Sequence, residues 1–203
     1  MESARAHWDR VYREKDPDAV SWYERVPATS LEMIGNLGLD PRAPILEVGG
    51  GASALAARLL AAGHSDVTVA DISEAALARA RGALAEPGRV HWVLADVRED
   101  RFARRYALWH DRAVLHFMVT EQDRAAYLRT LRATLERGGH AIIATFGPRG
   151  PTRCSGLPTA RYDAAALAGV LGEGFALAES RLVEHHTPSG TSQQFLYACF
   201  RRR

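Results

Sequence analysis

The architecture of this chain follows from Ile45-Leu46-Glu47-Val48-Gly49-Gly50-Gly51-Ala52-Ser53. A short apolar run ends in a carboxylate and three glycines, and residues 54–60 then resume with helical character. This pattern predicts a buried strand, a tight turn and the start of a helix. Glycine has no Cβ, and the first turn of a helix leaves N–H groups unpaired, so the turn is expected to seat a ligand against the backbone.

Two classes of cofactor suit such a turn. Gly49, Gly51 and Ala54 fit the dinucleotide fingerprint G-x-G-x-x-G/A, and Asp71 follows at the distance expected of a ribose-binding acid. Glu47, two residues before the first glycine, would repel a pyrophosphate and suits a cationic ligand better. The residues therefore favour a cationic nucleoside such as S-adenosylmethionine over a dinucleotide.

The segment from Glu47 to Ser53 resembles the first motif, E/D-x-G-x-G-x-G, of the class I S-adenosylmethionine-dependent methyltransferases, with Ser53 at the place of the third glycine. Trp8-Asp9-x-x-Tyr12 and Trp22-Tyr23 add a similarity to the branch of small bacterial enzymes that includes protein-lysine methyltransferases. The resemblance implies an α/β fold, a Rossmann-like three-layer sandwich. Its sheet would have seven strands, with strands one to five parallel and an antiparallel C-terminal hairpin.

Hydrophobic periodicity, caps and turn residues predict the individual elements. A helix is expected over residues 7–15, broken by Pro17, and another begins at Thr29 or Ser30. Further helices are predicted over 54–62, 74–84, 121–137 and from Asp163 to about residue 171. Strands are predicted over 45–48, 67–70, 90–94, 106–111, 140–146, 175–183 and 193–200.

Length and composition exclude several classes of protein. A chain of 203 residues fits one cofactor-binding domain, expected over 45–203, preceded by a helical lid or cap over 1–44. Apolar runs are too short to span a membrane, and the N-terminus lacks a signal peptide, so a cytoplasmic location is expected. Lys15 is the only lysine, and the arginines are dispersed among acids, so no nucleic-acid partner is predicted. The sequence does not indicate an oligomeric state.

The cysteine and histidine residues do not indicate a metal site. Cys154 and Cys199 are too few for a disulfide framework or a zinc site, and Cys199 belongs to an apolar run expected in the core. His185 and His186 are neighbours on an extended segment, so their side chains point to opposite faces and cannot share one ion.

Three acids lie at the carboxyl ends of three consecutive predicted strands, namely Glu47, Asp71 and Asp96. In a parallel sheet these strand ends lie at one edge, where ligands bind. The resemblance implies that the first motif holds the methionine part of the cofactor, the second acid the ribose and the third the adenine amino group. The predicted cofactor-binding residues are Trp22, Glu47, Gly49, Gly50, Gly51, Asp71, Ile72, Asp96, Val97 and His110.

The acceptor is expected beside the end of the fourth strand, which faces the reactive methyl group in the resembled family. His110, Asp111 and His116 are the candidates for catalysis there. The irregular segment 147–158 and the aromatic N-terminal residues are expected to enclose the acceptor, although the aromatic residues would equally suit a cap on the core. The predicted substrate-binding residues are Tyr12, Tyr23, Arg112, His116, Cys154 and Tyr162.

These residues predict methyl transfer to a nucleophilic nitrogen, sulfur or selenium atom of a small molecule. A protonated acceptor would need a base such as Asp111, His110 or His116, whereas a thiolate or selenolate would need none and Arg112 would orient it. Protein lysine is the alternative acceptor. A catalytically silent cofactor-binding or partner-activating protein is the alternative outside enzymes.

Overall fold

The computed structural model describes residues 2–16 and 18–203, so Pro17 and its predicted helix break lie outside the described residues. Seven strands form the main sheet, and two short strands form a separate hairpin. In chain order the strands are β1 (Ile45–Val48), β2 (Val67–Asp71), β3 (Val90–Leu94), β4 (Tyr106–Arg112), β5 (Leu135–Phe146), β6 (Arg153–Cys154), β7 (Leu157–Pro158), β8 (Phe175–His186) and β9 (Ser192–Arg202).

The main sheet has the order β3-β2-β1-β4-β5-β9-β8. Strands β1 to β5 are parallel to one another, and β9 runs antiparallel between β5 and β8. The predicted seven-stranded sheet with an antiparallel C-terminal hairpin is therefore confirmed. The hairpin of β6 and β7, within the segment expected to be irregular, is an addition to that prediction.

Six α-helices occur in the described part of the chain. They are α1 (Ala4–Glu14), α2 (Ala28–Asn36), α3 (Leu55–Ala61), α4 (Glu74–Ala83), α5 (Glu121–Thr134) and α6 (Ala164–Leu171). Ser73 and Asp163 cap α4 and α6 as predicted, each accepting a hydrogen bond from a backbone N–H in the first turn. The start predicted for α2 is wrong, because Pro27 occupies the N-cap position and the Ser30 side chain is bonded to His110 instead.

The boundary between α5 and β5 also differs from the prediction. The helix ends at Thr134 rather than 137, and the strand begins at Leu135 rather than 140. Leu135 is fully buried and pairs with Tyr106, and the extra residues of β5 before His140 are accommodated by a shift of register, since Leu108 pairs with His140. This pairing between distant parts of the chain overrides the local helical pattern.

Apolar side chains cover both faces of the sheet, which explains the nearly continuous apolar runs of its parallel strands. Cys199 is buried in this core as predicted. His185 is buried while its neighbour His186 is exposed, so the two side chains do face opposite sides of β8. In the described residues, the helices are all too short or too polar to cross a membrane.

Candidate active site

A cavity of about 480 Å³ lies at the carboxyl ends of the parallel strands. This volume is typical of sites for small molecules. One part of its wall comes from the loops after β1, β2, β3 and β4, and another from α1, the loop that follows α1, and the hairpin of β6 and β7. A second chamber of about 50 Å³ shares Tyr12, Trp22, Val48, Gly49 and Arg112 with this cavity.

The glycine turn between β1 and α3 is held tightly by its surroundings. Gly49 has a φ of 67°, and a Cβ on it would lie 2.2 Å from Cγ2 of Val114. A Cβ on Gly51 would lie 2.3 Å from Cβ of Ala76 and 2.8 Å from Oδ2 of Asp71. Gly49 lines the cavity, whereas Gly50 and Gly51 are outside its wall, so these two glycines shape the turn rather than contact the cavity.

Asp71 links this turn to the start of α4. Its Oδ1 accepts a hydrogen bond of 2.8 Å from the N–H of Ser73, and its Oδ2 accepts one of 3.0 Å from the N–H of Gly51. Burial raises the pKa of Asp71 to about 6, against the opposing effect of these backbone donors. Asp71 and Ile72 both line the cavity, so the carboxylate is held ready to accept a hydrogen bond from a ligand hydroxyl.

Glu47 and His110 lie in the wall of the smaller chamber. Burial raises the pKa of Glu47 to about 7, and its Oε2 has no hydrogen-bond partner in the described parts of the chain. Burial lowers the pKa of His110 to about 3, so its ring is neutral. Nε2 of His110 lies 2.9 Å from Oγ of Ser30, and its Nδ1 has no partner among residues 2–16 and 18–203.

Asp96 and Val97 line the cavity next to Arg98, which the sequence prediction missed. Nη2 of Arg98 donates a 2.6 Å hydrogen bond to Oδ2 of Asp96, and Nη1 donates one of 3.3 Å to Asp123 on α5. Burial acts to raise the pKa of Asp96, but the hydrogen bonds from Arg98 outweigh it and the pKa is lowered. Arg98 therefore keeps this carboxylate ionised and fixes its direction.

Several predicted acceptor contacts do line the cavity. These are Tyr12, Arg112 and Cys154, while Tyr23 lines the smaller chamber. Trp22, which was predicted to bind the cofactor, also lines the cavity. Arg112 donates to the Tyr197 hydroxyl at 2.9 Å and to the Trp22 carbonyl at 2.8 Å. Its Nη2 lies 3.1 Å from Oε1 of Glu24. Arg112 thus joins the end of β4 to the loop that carries Trp22.

Asp111, His116 and Tyr162 are outside the walls of both cavities, contrary to their predicted contact with the acceptor. Side chains alternate along β4, so Asp111 faces the same side as Trp109, and His110 faces the other side with Arg112. Asp111 is fully buried, and its carboxylate accepts a 2.6 Å hydrogen bond from the Tyr127 hydroxyl and others from the N–H groups of Val114 and Leu115.

His116 is buried in an aromatic environment instead of facing the cavity. Its ring stacks on Phe146 with the centroids 4.2 Å apart, and burial lowers its pKa to about 3. Tyr162 is bound through its backbone N–H to the carbonyl of Phe146 at 2.9 Å. Both side chains were expected near the acceptor because they follow the ends of β4 and β5, but the chain turns them into the core.

The sheet order, the glycine turn and the acids at successive strand ends define an α/β enzyme that binds a nucleoside cofactor. Residues 45–139 match a family described as a methyltransferase domain. Over these residues the chain is similar to methyltransferase domains, and the match and the fold together support an S-adenosylmethionine-dependent methyltransferase. The unpartnered Oε2 of Glu47 beside the turn and the oriented carboxylate of Asp71 fit S-adenosylmethionine as its cofactor.

Solved structures share this fold over nearly the whole chain. NodS, an N-methyltransferase of Bradyrhizobium japonicum WM9 solved with S-adenosyl-L-homocysteine, is 21% identical with a TM-score of 0.72, covering 97% of this chain and 98% of NodS. The 1,6-didemethyltoxoflavin-N1-methyltransferase of Burkholderia thailandensis is 23% identical with a TM-score of 0.70. The alignment covers 95% of this chain and 80% of that enzyme. A methyltransferase of Anabaena variabilis ATCC 29413 is 14% identical with a TM-score of 0.78. The alignment covers 100% of this chain and 96% of that methyltransferase. No curated protein sequence matches the chain.

Cofactor affinity is expected to fall about tenfold when the pH is lowered from about 7.5 to about 5, because a carboxylate with a pKa of about 6 is then mostly protonated. The protonated group is the weaker acceptor for a ribose hydroxyl, so the loss occurs on the acid side. Calorimetric titration with S-adenosylhomocysteine measures this change. The double variant Glu47→Gln/Asp71→Asn removes both titrating acids and should bind weakly at either pH. Equal or tighter binding of the wild type at pH 5 would contradict the assignment.

Proposed function

We propose that this enzyme methylates a nucleophilic nitrogen, sulfur or selenium atom of a small molecule. The observation that carries the proposal is the contribution of the chain's own N-terminal segment to the wall of the cavity. Trp8, Tyr12 and Trp22 contribute to the wall alongside Gly49 and Asp71 at the strand ends. A cavity covered in this way suits a small acceptor better than a lysine on a folded protein.

The names of structural neighbours support the same class of acceptor. Two of them are described as N-methyltransferases, one acting on N1 of 1,6-didemethyltoxoflavin and the other being NodS. A third is described as a glycopeptide N-methyltransferase, and it shares 16% identity at a TM-score of 0.65. The methyltransferase domain itself supports an enzyme over a catalytically silent binding protein.

The residues of the site would act by orientation. S-adenosylmethionine supplies a methyl group that is already activated by its sulfonium. Glu47 and Gly49 would hold the amino-acid end of the cofactor, Asp71 the ribose and Asp96 the adenine. Alignment of two reactants in a binding site can lower the activation barrier by about 7–11 kcal/mol. The fixed strand ends can therefore account for much of the catalysis.

We further propose that residues 1–44 act as a lid on the cofactor-binding domain, residues 45–203. The contact that supports this role lies between α1 and α4. Oδ1 of Asp9 accepts a 2.7 Å hydrogen bond from Oγ of Ser73 and one of 3.1 Å from the N–H of Ala75. Arg79 on α4 donates a 2.6 Å hydrogen bond to the carbonyl of Lys15, just after α1.

Asp9→Ala is expected to speed the release of S-adenosylhomocysteine about tenfold. The variant removes charged hydrogen bonds that hold α1 over the cavity, and such bonds contribute about 1.5–3 kcal/mol. Stopped-flow fluorescence of the tryptophans measures the release rate. Glu14→Gln, on an exposed residue of the same helix, is the matched control and should leave the rate unchanged. An unchanged rate in Asp9→Ala would argue against a lid.

The proposed function is tested with S-adenosylmethionine carrying a labelled methyl group. Purified enzyme is incubated with thiols, selenols, imidazoles, heteroaromatic amines and lysine peptides, and labelled products are identified by mass spectrometry. Labelled small molecules with no labelled peptide support the proposal. Efficient labelling of peptides alone would assign the enzyme to protein lysine instead.

A further inference from the structure

Four aromatic side chains form a continuous surface in the cavity wall, defined here as the aromatic wall: Trp8, Tyr12, Trp22 and Phe117. The ring centroids of Trp8 and Phe117 are 5.0 Å apart, those of Trp8 and Trp22 are 5.9 Å apart, and those of Tyr12 and Trp22 are 6.2 Å apart. Because these rings pack edge to face against one another, they form a supported platform. Flat ligands with π systems bind to such platforms by stacking.

The hairpin of β6 and β7 adds a mainly apolar contribution to the same cavity through Cys154, Leu157 and Pro158. Sγ of Cys154 lies 4.0 Å from Oγ of Ser21, so the hairpin reaches the loop that carries Trp22. Arg112 is the charged residue beside this loop, and it is bound to the Trp22 carbonyl. The part of the cavity between the aromatic wall and the hairpin is called the acceptor end. It is apolar and aromatic, and the Arg112 guanidinium beside it carries a permanent positive charge.

The titratable groups at the acceptor end are poor bases. Burial raises the pKa of the Tyr12 hydroxyl well above its usual value, and burial likewise raises the pKa of the Cys154 thiol. Both groups therefore stay protonated at neutral pH. The Arg112 guanidinium can only donate hydrogen bonds. His110, Asp111 and His116, the bases suggested by the sequence, are outside the wall of this larger cavity.

The other titratable groups of the cavity wall each make at least one hydrogen bond, and Nε2 of His7 is the ring nitrogen that has no partner in the described residues. Nδ1 of His7 lies 3.3 Å from Nη2 of Arg10, which can only donate, so this nitrogen acts as the acceptor. Glu2 accepts hydrogen bonds from the same Arg10 at 3.0 and 3.2 Å. Asp71 accepts from two backbone N–H groups, and Asp96 is paired with Arg98.

We propose that the acceptor is a flat aromatic molecule whose ring nitrogen or ring-bound thiolate already carries a free electron pair, so that methyl transfer needs no base from the protein. This inference rests on the proposed function and adds the class of acceptor to it. The acceptor's electron pair forms the new bond to the methyl carbon, the carbon–sulfur bond breaks, and its pair remains on sulfur as a neutral thioether. No proton moves in this step, so atoms and charge balance without a further reactant.

The first experiment compares acceptors of similar shape with and without a free electron pair at neutral pH. The probes are isoquinoline and 2-naphthalenethiol against 2-naphthylmethylamine, which is protonated at this pH, and a lysine peptide. We expect kcat/KM to be at least about tenfold higher for the first two. 2-Naphthylmethylamine keeps the aromatic stacking but must lose a proton before it can react, and the lysine peptide lacks the stacking as well. Higher kcat/KM for the alkylamine or peptide would overturn the inference while leaving methyl transfer intact.

A negative result is resolved by calorimetry with S-adenosylhomocysteine. If the enzyme binds the cofactor product but methylates neither flat probe at millimolar concentration, the inference on the acceptor is wrong. If the enzyme neither binds the cofactor product nor methylates any compound, the proposed function itself fails. The two proposals are therefore separated by one additional titration.

The pH dependence identifies the source of the electron pair. With 2-naphthalenethiol and the more acidic pentafluorothiophenol as acceptors, the rise of kcat/KM with pH should follow the pKa of each thiol. The two profiles should then be displaced from each other by the difference between the thiol pKa values. The profiles are measured at saturating S-adenosylmethionine, so that the pH dependence of cofactor binding does not contribute. A common midpoint for both acceptors would then indicate a titrating group of the enzyme that acts on the acceptor, and would overturn the inference.

Substitution of the aromatic wall tests the binding surface. Trp8→Leu and Phe117→Leu should each raise KM for isoquinoline about tenfold, the effect expected for loss of a stacking partner. Trp92→Leu, on β3 and outside the cavity wall, is the matched control for loss of an indole. Cofactor binding is measured in parallel to show that each variant is folded. Unchanged KM in both wall variants would contradict the role of this surface.

Discussion

Gly51→Ala is expected to weaken S-adenosylhomocysteine binding about hundredfold and to destabilise the protein by about 1–3 kcal/mol, the usual effect of overpacking. The new Cβ would lie 2.3 Å from Cβ of Ala76 and 3.1 Å from its backbone carbonyl carbon. It would also lie 2.8 Å from Oδ2 of Asp71, the atom that accepts a hydrogen bond from the N–H of Gly51 in the wild type. Relief of these clashes would move the turn, Asp71 and the start of α4 away from one another, and we propose that all three position the cofactor.

Gly82→Ala is the matched control for this substitution. Gly82 lies in α4, the helix that contains Ala76, and nothing lies within 4 Å of a Cβ placed on it. Alanine in a helix is about 0.5–1 kcal/mol more favourable than glycine, so Gly82→Ala should stabilise the protein without changing affinity. Calorimetric titration and thermal unfolding report both quantities. Wild-type affinity in Gly51→Ala would show that the turn does not position the ligand.

The strand ends were predictable from the sequence because each is marked locally. A short apolar run followed by an acid and a helix start is visible within about ten residues, and tight turns add glycine. The order of these units along the chain then fixes a parallel sheet. Local patterns alone therefore assign Glu47, Asp71 and Asp96 to one edge of that sheet.

The walls of the acceptor site depend on contacts between distant residues. Phe117 lies next to Trp8 although more than a hundred residues separate them, and no local pattern marks that contact. Two-residue strands such as β6 and β7 show no periodicity, so the hairpin carrying Cys154 could not be distinguished from a loop. Arg98, two residues after Asp96, could have been noticed as a partner for that acid.

The position of Asp111 outside the cavity wall could have been predicted by following the alternation of side chains along β4. Trp109 is a large apolar residue and belongs in the core, so Asp111 shares its face and His110 does not. The resemblance instead implied a catalytic group there, because the end of the fourth strand faces the reactive methyl group in the resembled family. The Tyr127 hydroxyl is hydrogen-bonded to both Asp111 and Trp109. Because Tyr127 lies on α5, no pattern in the sequence around Asp111 indicates this contact.

Asp111→Ala is expected to lower the free energy of unfolding by about 3–5 kcal/mol, because two buried donors and one half-buried donor lose their acceptor at about 1–3 kcal/mol each. These donors are the Tyr127 hydroxyl and the N–H groups of Val114 and Leu115. Urea unfolding measures the change. Asp163→Ala, which removes an exposed helix cap, is the matched control and should cost about 1 kcal/mol.

The pH dependence and the amide variant separate a structural from a catalytic Asp111. Burial raises the pKa of Asp111 to about 7, above that of the unfolded chain, so its contribution to stability is complete at low pH and decreases as the pH rises toward 7. The stability difference between wild type and Asp111→Ala should therefore be smaller at about pH 8 than at about pH 5. Asp111→Asn keeps one oxygen acceptor and should retain most turnover in folded protein. Loss of turnover in a stable Asp111→Asn variant would instead indicate that Asp111 takes part in catalysis.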